Sequence, residues 1–221
     1  MQHKFISILL DLLFPWDVTC PFCQRSLVGT ERIICCHCEA ELLQSVLTPP
    51  EQLSAHAPLL CCVSAFAYDG IARLLVRELK YHNNSTVAWL LALYMLAALL
   101  KVFPSPAWDI IVPVPMHPAK EAARGYNQAQ LLAAEISACL SLPLRTDLLR
   151  RTKDIASQTS RTAQQRKLAM KDVFIAEPMQ PGLRILLVDD VLTTGATASA
   201  CADALLASGA ASVTLLTACQ A

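Results

Sequence analysis

The chain carries no net charge: 18 Lys and Arg stand against 18 Asp and Glu in 221 residues. No overall field therefore draws it to nucleic acid or to a membrane surface, and any such attraction must come from a local patch. Charged residues make up only 16% of the sequence and hydrophobic ones 54%, which excludes global disorder and leaves room for a large core. Ten cysteines are too few for a disulfide scaffold of this length. A membrane-length apolar run is also missing. The longest, residues 87–100 (VAWLLALYMLAALL), has the length of a buried core helix. Residues 5–14 (FISILLDLLF) imitate a signal sequence, but Asp11 interrupts them, Pro15-Trp16-Asp17 follows, and no small-residue cleavage site is present. They read as a short amphipathic helix, and the chain as a cytoplasmic protein with no membrane span.

What the sequence does hold is concentrated in two places. The first is Cys20-Pro-Phe-Cys23 followed by Cys35-Cys-His-Cys38, two C-x2-C pairs separated by eleven residues. Each pair turns two sulfurs toward one point, and two pairs complete a tetrahedron for a structural Zn²⁺. Cys36 and His37 lie close enough to compete, but the spacing favours Cys20, Cys23, Cys35 and Cys38. A segment this small needs such a staple, because it cannot build a core of its own.

The second is residues 184–209, RILLVDDVLTTGATASACADALLASG. Ile185–Val188 is a short unalternating apolar run, the pattern of a strand buried on both faces of a parallel sheet. Asp189 and Asp190 follow where that strand is expected to end. Thr193, Thr194, Gly195, Ala196 and Thr197 then form a small, hydroxyl-rich loop before an Ala/Leu helix whose C′ residue is Gly209. Gly195 lets backbone approach a ligand, and the helix start offers unpaired N–H groups and a positive dipole end, together a phosphate cradle. The carboxylates are acceptors for the vicinal hydroxyls of a ribose, so a 5′-phosphorylated ribose fits from both ends. A receiver domain needs far more chain after its LLVDD than Val191–Ala221, and a Walker A loop needs a Lys that is absent.

Between these lie weaker signals. Residues 45–58 carry three prolines and no periodicity and read as a linker, which divides the chain into 1–45 (N-terminal helix and cysteine finger), 46–58 (linker) and 59–221 (main domain). Residues 59–68 predict a strand whose Cys61 and Cys62 are core thiols, and 71–80 predict a helix. A further strand spans 109–115. After it comes a donor-rich loop in which Lys120 and Arg124 are placed to meet anionic oxygens and His117 to bond within the loop, and Asn127-Gln128 opens a helix reaching about Leu140. Residues 150–171 hold seven Lys/Arg against one acid and no aromatics. Arg151, Lys153, Gln158, Arg161 and Arg166 mark this strip as a lid over pyrophosphate or a track for a nucleic-acid backbone, without the stacking platform of a typical single-strand binder. Residues 212–218 form the last strand.

The 184–209 stretch resembles the PRPP-binding signature of type I phosphoribosyltransferases, and the order of features along the chain is similar to the ComF family. That resemblance rests on Leu13-Phe-Pro15, the two C-x2-C pairs, Leu79-Lys-Tyr81, Val112-Pro-Val-Pro115, Arg124-Gly-Tyr-Asn-Gln128, Gln158, Arg166 and 187–197. Tyr126 stands where the family more often has Phe, Ala169 where Asn is usual, and Arg161 where Leu is usual. The resemblance implies an α/β fold, an open and mostly parallel sheet with flanking helices, behind a small four-cysteine zinc finger. It implies PRPP with Mg²⁺ as ligand, the VPVP and RGYNQ elements on the pyrophosphate side, and a role in natural competence on incoming single-stranded DNA. Two other readings stay open: an active phosphoribosyltransferase with an unidentified nucleobase or other acceptor, and a non-catalytic PRPP sensor that docks to a helicase-type protein of DNA uptake.

Overall fold

Four apolar runs far apart in sequence become neighbouring parallel strands. The computed structural model describes residues 19–27, 33–49, 61–82, 84–105, 108–152 and 173–221. The chain divides into two compact units, Met1–Gln44 and Ser45–Ala221. In the second, β1 (Cys61–Ala67), β2 (Ile110–Pro113), β5 (Arg184–Leu192) and β6 (Ser212–Gln220) form a sheet in the order β1-β6-β5-β2. Every pairing in it is parallel. Burial on both sides explains why these strands read as unbroken hydrophobic runs.

The helices supply that burial. Asn84 caps α3 (Ser85–Val102), its side chain accepting from the amides of Thr86 and Val87 at 3.1 and 3.2 Å. α3 packs on β1 and on α5 (Gln128–Leu140), which in turn covers β5 and β2. Among the described residues α3 alone has the length and apolarity to cross a membrane, and half of it is buried inside the protein, the position of a core helix. α2 (Gly70–Tyr81) buries Ile71, Leu75 and Leu79 at four-residue intervals. α6 (Ala196–Ala207) lies on the other side of the sheet and places Ala198, Cys201, Ala202 and Leu205 against Ile185, Leu187, Val213 and Leu215. Leu187 is fully buried there. Leu187→Ala is expected to cost about 2–5 kcal/mol in urea unfolding monitored by circular dichroism.

An antiparallel pair, β3 (Leu149–Arg151) and β4 (Phe174–Ala176), also packs on α6. The amide of Thr152 donates to the Val173 carbonyl at 2.8 Å, closing the pair where residues 153–172 leave and return. At the base of the main sheet, Arg184 forks onto Asp109 through Nη2 and Nε at 2.8 and 3.1 Å and fixes the start of β5 beside that of β2. That guanidinium holds the Asp109 carboxyl down at about 2.

Three expectations change. β5 does not stop before Asp189 but runs through both carboxylates to Leu192, because β6 continues beside it as far as Gln220. The donor-rich stretch after β2 is not all loop: Pro118–Arg124 forms α4. His117 caps α4 by accepting from the Ala119 amide at 3.2 Å, Pro118 takes the first turn, and Gly125 ends it in the left-handed region. Finally, the first residues of the expected linker join the sheet edge: Val46 bridges Phe66, and Leu47 donates to the Ala65 carbonyl at 3.0 Å. The expected N-terminal helix at 5–14 lies outside the described residues.

Candidate functional site

In the first unit a tight turn brings the leading cysteines together. The Gln24 amide returns to the Cys20 carbonyl and the Cys20 amide donates to Arg25, while Gln24 takes a positive φ. The second pair sits at the start of α1 (Cys36–Gln44), where the Cys38 amide points at the Cys35 sulfur at 3.4 Å. The Sγ atoms of Cys20, Cys23, Cys35 and Cys38 all lie within 4.8 Å of one another. Cys36 and His37 are exposed and outside this cluster, and the Cys36 sulfur accepts from Arg25 instead. Burial pushes the Cys20 thiol up, but amides of Cys23, Cys35 and Phe22 directed at its sulfur outweigh this and bring it to about 6. Four converging sulfurs with donated amides suit a thiophilic metal ion, with every coordination position filled by protein.

In the second unit the acidic pair occupies successive positions of β5, and Asp189 Oδ1 accepts from the Asp190 amide at 2.8 Å. Asp189 shares its row with Thr217 of β6 and, one strand further, Ser64 of β1, whose hydroxyls are bonded at 2.7 Å. Burial and the neighbouring Asp190 charge hold the Asp189 carboxyl well above the usual carboxylate range. Asp190 is nearly enclosed. Its Oδ1 accepts from the Val191 amide at 2.9 Å, and its Oδ2 lies 2.7 Å from Lys80 Nζ and 3.5 Å from Gln128 Nε2.

Gly195, at φ +72°, turns the chain from β5 into α6. Gly195, as N-cap, makes no side-chain cap bond, and the exposed Thr193 and Thr194 precede it. Ala196 and Thr197 form the first turn, with the Thr194 hydroxyl 3.5 Å from the Ala196 amide. Thr193–Thr197 and the acidic pair are thus joined on one strand–turn–helix unit.

Arg124, at the end of α4, donates to Gln128 Oε1 at 2.5 Å and stands over the Tyr81 ring, 6.0 Å from its centroid. Gln128 relays it to Asp190. Lys120 is exposed on α4. Arg151 lies over the Phe174 ring, while Lys153, Gln158, Arg161 and Arg166 fall outside the described residues. A separate cavity of about 510 Å³ opens between Pro113, Pro115, Met116, Glu121, Gln130 and Arg150, and it includes neither the acidic pair nor Thr193–Thr197. Sequence reasoning named Lys80 only within Leu79-Lys-Tyr81 and gave it no place in the site. It ends a helix as lysines often do, and no spacing shows that a carboxylate 110 residues later will meet it.

The model of the phosphoribosyl transferase domain matches residues 122–221. The DNA utilization protein YhgH of Salmonella typhi is 32% identical over 218 residues, covering 91% of this chain and 96% of that one. The competence protein ComFC of Bacillus subtilis is 27% identical over 97% of this chain and 95% of its own. Competence protein F of Haemophilus influenzae is 36% identical over 92 residues, 40% of each chain. Among solved structures, the adenine phosphoribosyltransferase of Leishmania donovani superposes with a TM-score of 0.37 at 18% identity, over 74% of this chain and 71% of that one. With a four-cysteine cluster ahead of a phosphoribosyltransferase fold and kinship along nearly its whole length, the chain belongs to the ComF family.

Proposed function

We propose that this chain binds PRPP and acts in natural competence, in the cytoplasm, on incoming single-stranded DNA. One observation carries the ligand: Asp189 and Asp190 run directly into a left-handed Gly195 and the uncapped start of α6. Carboxylates accept from ribose hydroxyls, and the helix amides with Thr193, Thr194 and Thr197 take the 5-phosphate. Mg²⁺ accompanies PRPP as its counter-ion, and Arg124 serves the pyrophosphate side together with Lys120. Zn²⁺ at Cys20, Cys23, Cys35 and Cys38 has a structural role, with no position left for a substrate. The DNA role is supported by the names of the competence and DNA utilization relatives. It is supported also by the basic composition of 150–171, two of whose arginines, Arg150 and Arg151, lie on β3.

Isothermal calorimetry of the full chain with PRPP and Mg²⁺ tests the ligand. Saturable one-site binding is expected, and heat no greater than dilution overturns the reading. The same samples, assayed for pyrophosphate release with and without single-stranded DNA and a panel of nucleobases, decide the chemistry. Acceptor-dependent release makes the chain a transferase, whereas binding without release makes it a PRPP-responsive DNA-uptake factor.

A further inference from the structure

Lys80 has a chemistry that the ribose–phosphate reading leaves unused. It closes α2, and two contacts tie that helix end to the RGYNQ element. Tyr126 donates its hydroxyl to the Leu79 carbonyl at 2.8 Å, and Arg124 stands over Tyr81. The lysine is thereby held with its ammonium 2.7 Å from Asp190 Oδ2, and its side chain is 24% exposed against 7% for the aspartate. Lys80 and Arg124 therefore converge on one carboxylate from two different elements, Arg124 through Gln128.

Asp190 Oδ2 is already engaged by Lys80 at 2.7 Å and, at the edge of hydrogen-bonding distance, by Gln128, so a ribose hydroxyl arriving at that oxygen competes with the Lys80 ammonium. The released ammonium needs a new anion. In PRPP the nearest is the 1-diphosphate, whose ester oxygen sits on the carbon next to the one bearing the 2-hydroxyl. We infer that Lys80 exchanges Asp190 for the diphosphate of PRPP when the ribose arrives, making it a ligand-binding cation that senses the diphosphate. The inference rests on the PRPP reading above and adds a selectivity to it: the site distinguishes PRPP from ribose 5-phosphate through Lys80. Without a diphosphate to receive the ammonium, the ion pair to Asp190 is retained, and ribose 5-phosphate competes poorly for the carboxylate.

The test is calorimetry on the full-length chain and on Lys80→Gln, each with PRPP and with ribose 5-phosphate. Gln keeps a hydrogen-bond donor for Asp190 and removes only the charge, and the thermal midpoint checks that both chains are folded. PRPP affinity is expected to fall about tenfold or more in Lys80→Gln, while ribose 5-phosphate affinity holds or rises. Lys80→Arg, which keeps the charge, restores most of the PRPP affinity. Equal losses for both ligands overturn the inference, because Lys80 then only positions Asp190. Unchanged PRPP affinity overturns it as well. If the unaltered chain binds PRPP and only Lys80→Gln behaves otherwise than expected, the exchange fails and the PRPP reading stands. If the unaltered chain binds neither ligand, both fail.

Discussion

Replacing Cys38 by Ala is expected to remove the metal and unfold the first unit. The four sulfurs within 4.8 Å of one another supply the whole ligand set, and residues 19–27 and 33–44 offer few apolar side chains besides the cysteines. Ile34 and Leu42 are the buried ones among the described residues, too small a core to hold the segment without a staple. A structural zinc supplies folding free energy outright, and its binding is coupled to folding of the segment. The measurement is one zinc per chain by plasma emission in the purified protein, lost in Cys38→Ala, with amide exchange across 19–44 rising to unprotected rates. Retained protection without metal would show that the cluster holds itself together. Cys36→Ala serves as the control, since its exposed sulfur lies outside the cluster, and full zinc content is expected.

Asp189→Asn is expected to make the ligand-free protein more stable and to weaken its binding of PRPP. Burial and the Asp190 charge raise the Asp189 carboxyl in the folded state, while in the unfolded chain it returns to the ordinary value. Above that ordinary value the folded chain retains a proton that the unfolded chain has released, so stability falls as pH rises through the window between the two. Asn, which does not ionise, removes that cost. Each 1 kcal/mol gained raises the melting temperature by about 2–4 °C in a chain of this size. The same change removes a charged acceptor for ribose, costing about 1.5–3 kcal/mol per bond or roughly 10- to 150-fold in affinity. Thermal melts from pH 5 to 8 check the first half: the two curves converge toward low pH and separate toward high pH. A mutant less stable at pH 7 would show that the charge is compensated in the folded protein.

Strands and helices with a single dominant signal were legible. Ile185–Val188 is apolar without alternation and became the middle of β5, and Gln128–Leu140 forms its helix over the expected residues. α4 was overlooked although His117-Pro118 and Gly125 bracket it, because seven residues with no buried side chain carry no hydrophobic periodicity. β3 and β4, three residues each, pair across the long interval from 152 to 173, beyond what a hairpin signal covers. Two aspartates argued for a strand end by propensity, yet a partner strand with free hydrogen-bonding groups decides where a strand stops. The loop half of the site was readable because it is contiguous, from Asp189 to Thr197. Its other half was not: Lys80 and Gln128 reach Asp190 only once the sheet has assembled.

The place of β6 has a consequence for how this domain is made. Residues 212–220 lie between β1 and β5, so the earliest and latest strands of the domain are direct partners. During synthesis β1 waits for some 150 residues of intervening chain with its apolar faces lacking their permanent neighbour. The β5–β2 pair forms sooner, but as an isolated two-stranded piece. Closure of the sheet is a late, non-local event that waits for residues 212–220, the kind of topology that folds slowly. A nascent chain stalled before Ser212 would present two open strand edges, and holding such intermediates apart is the natural work of a chaperone at the ribosome exit.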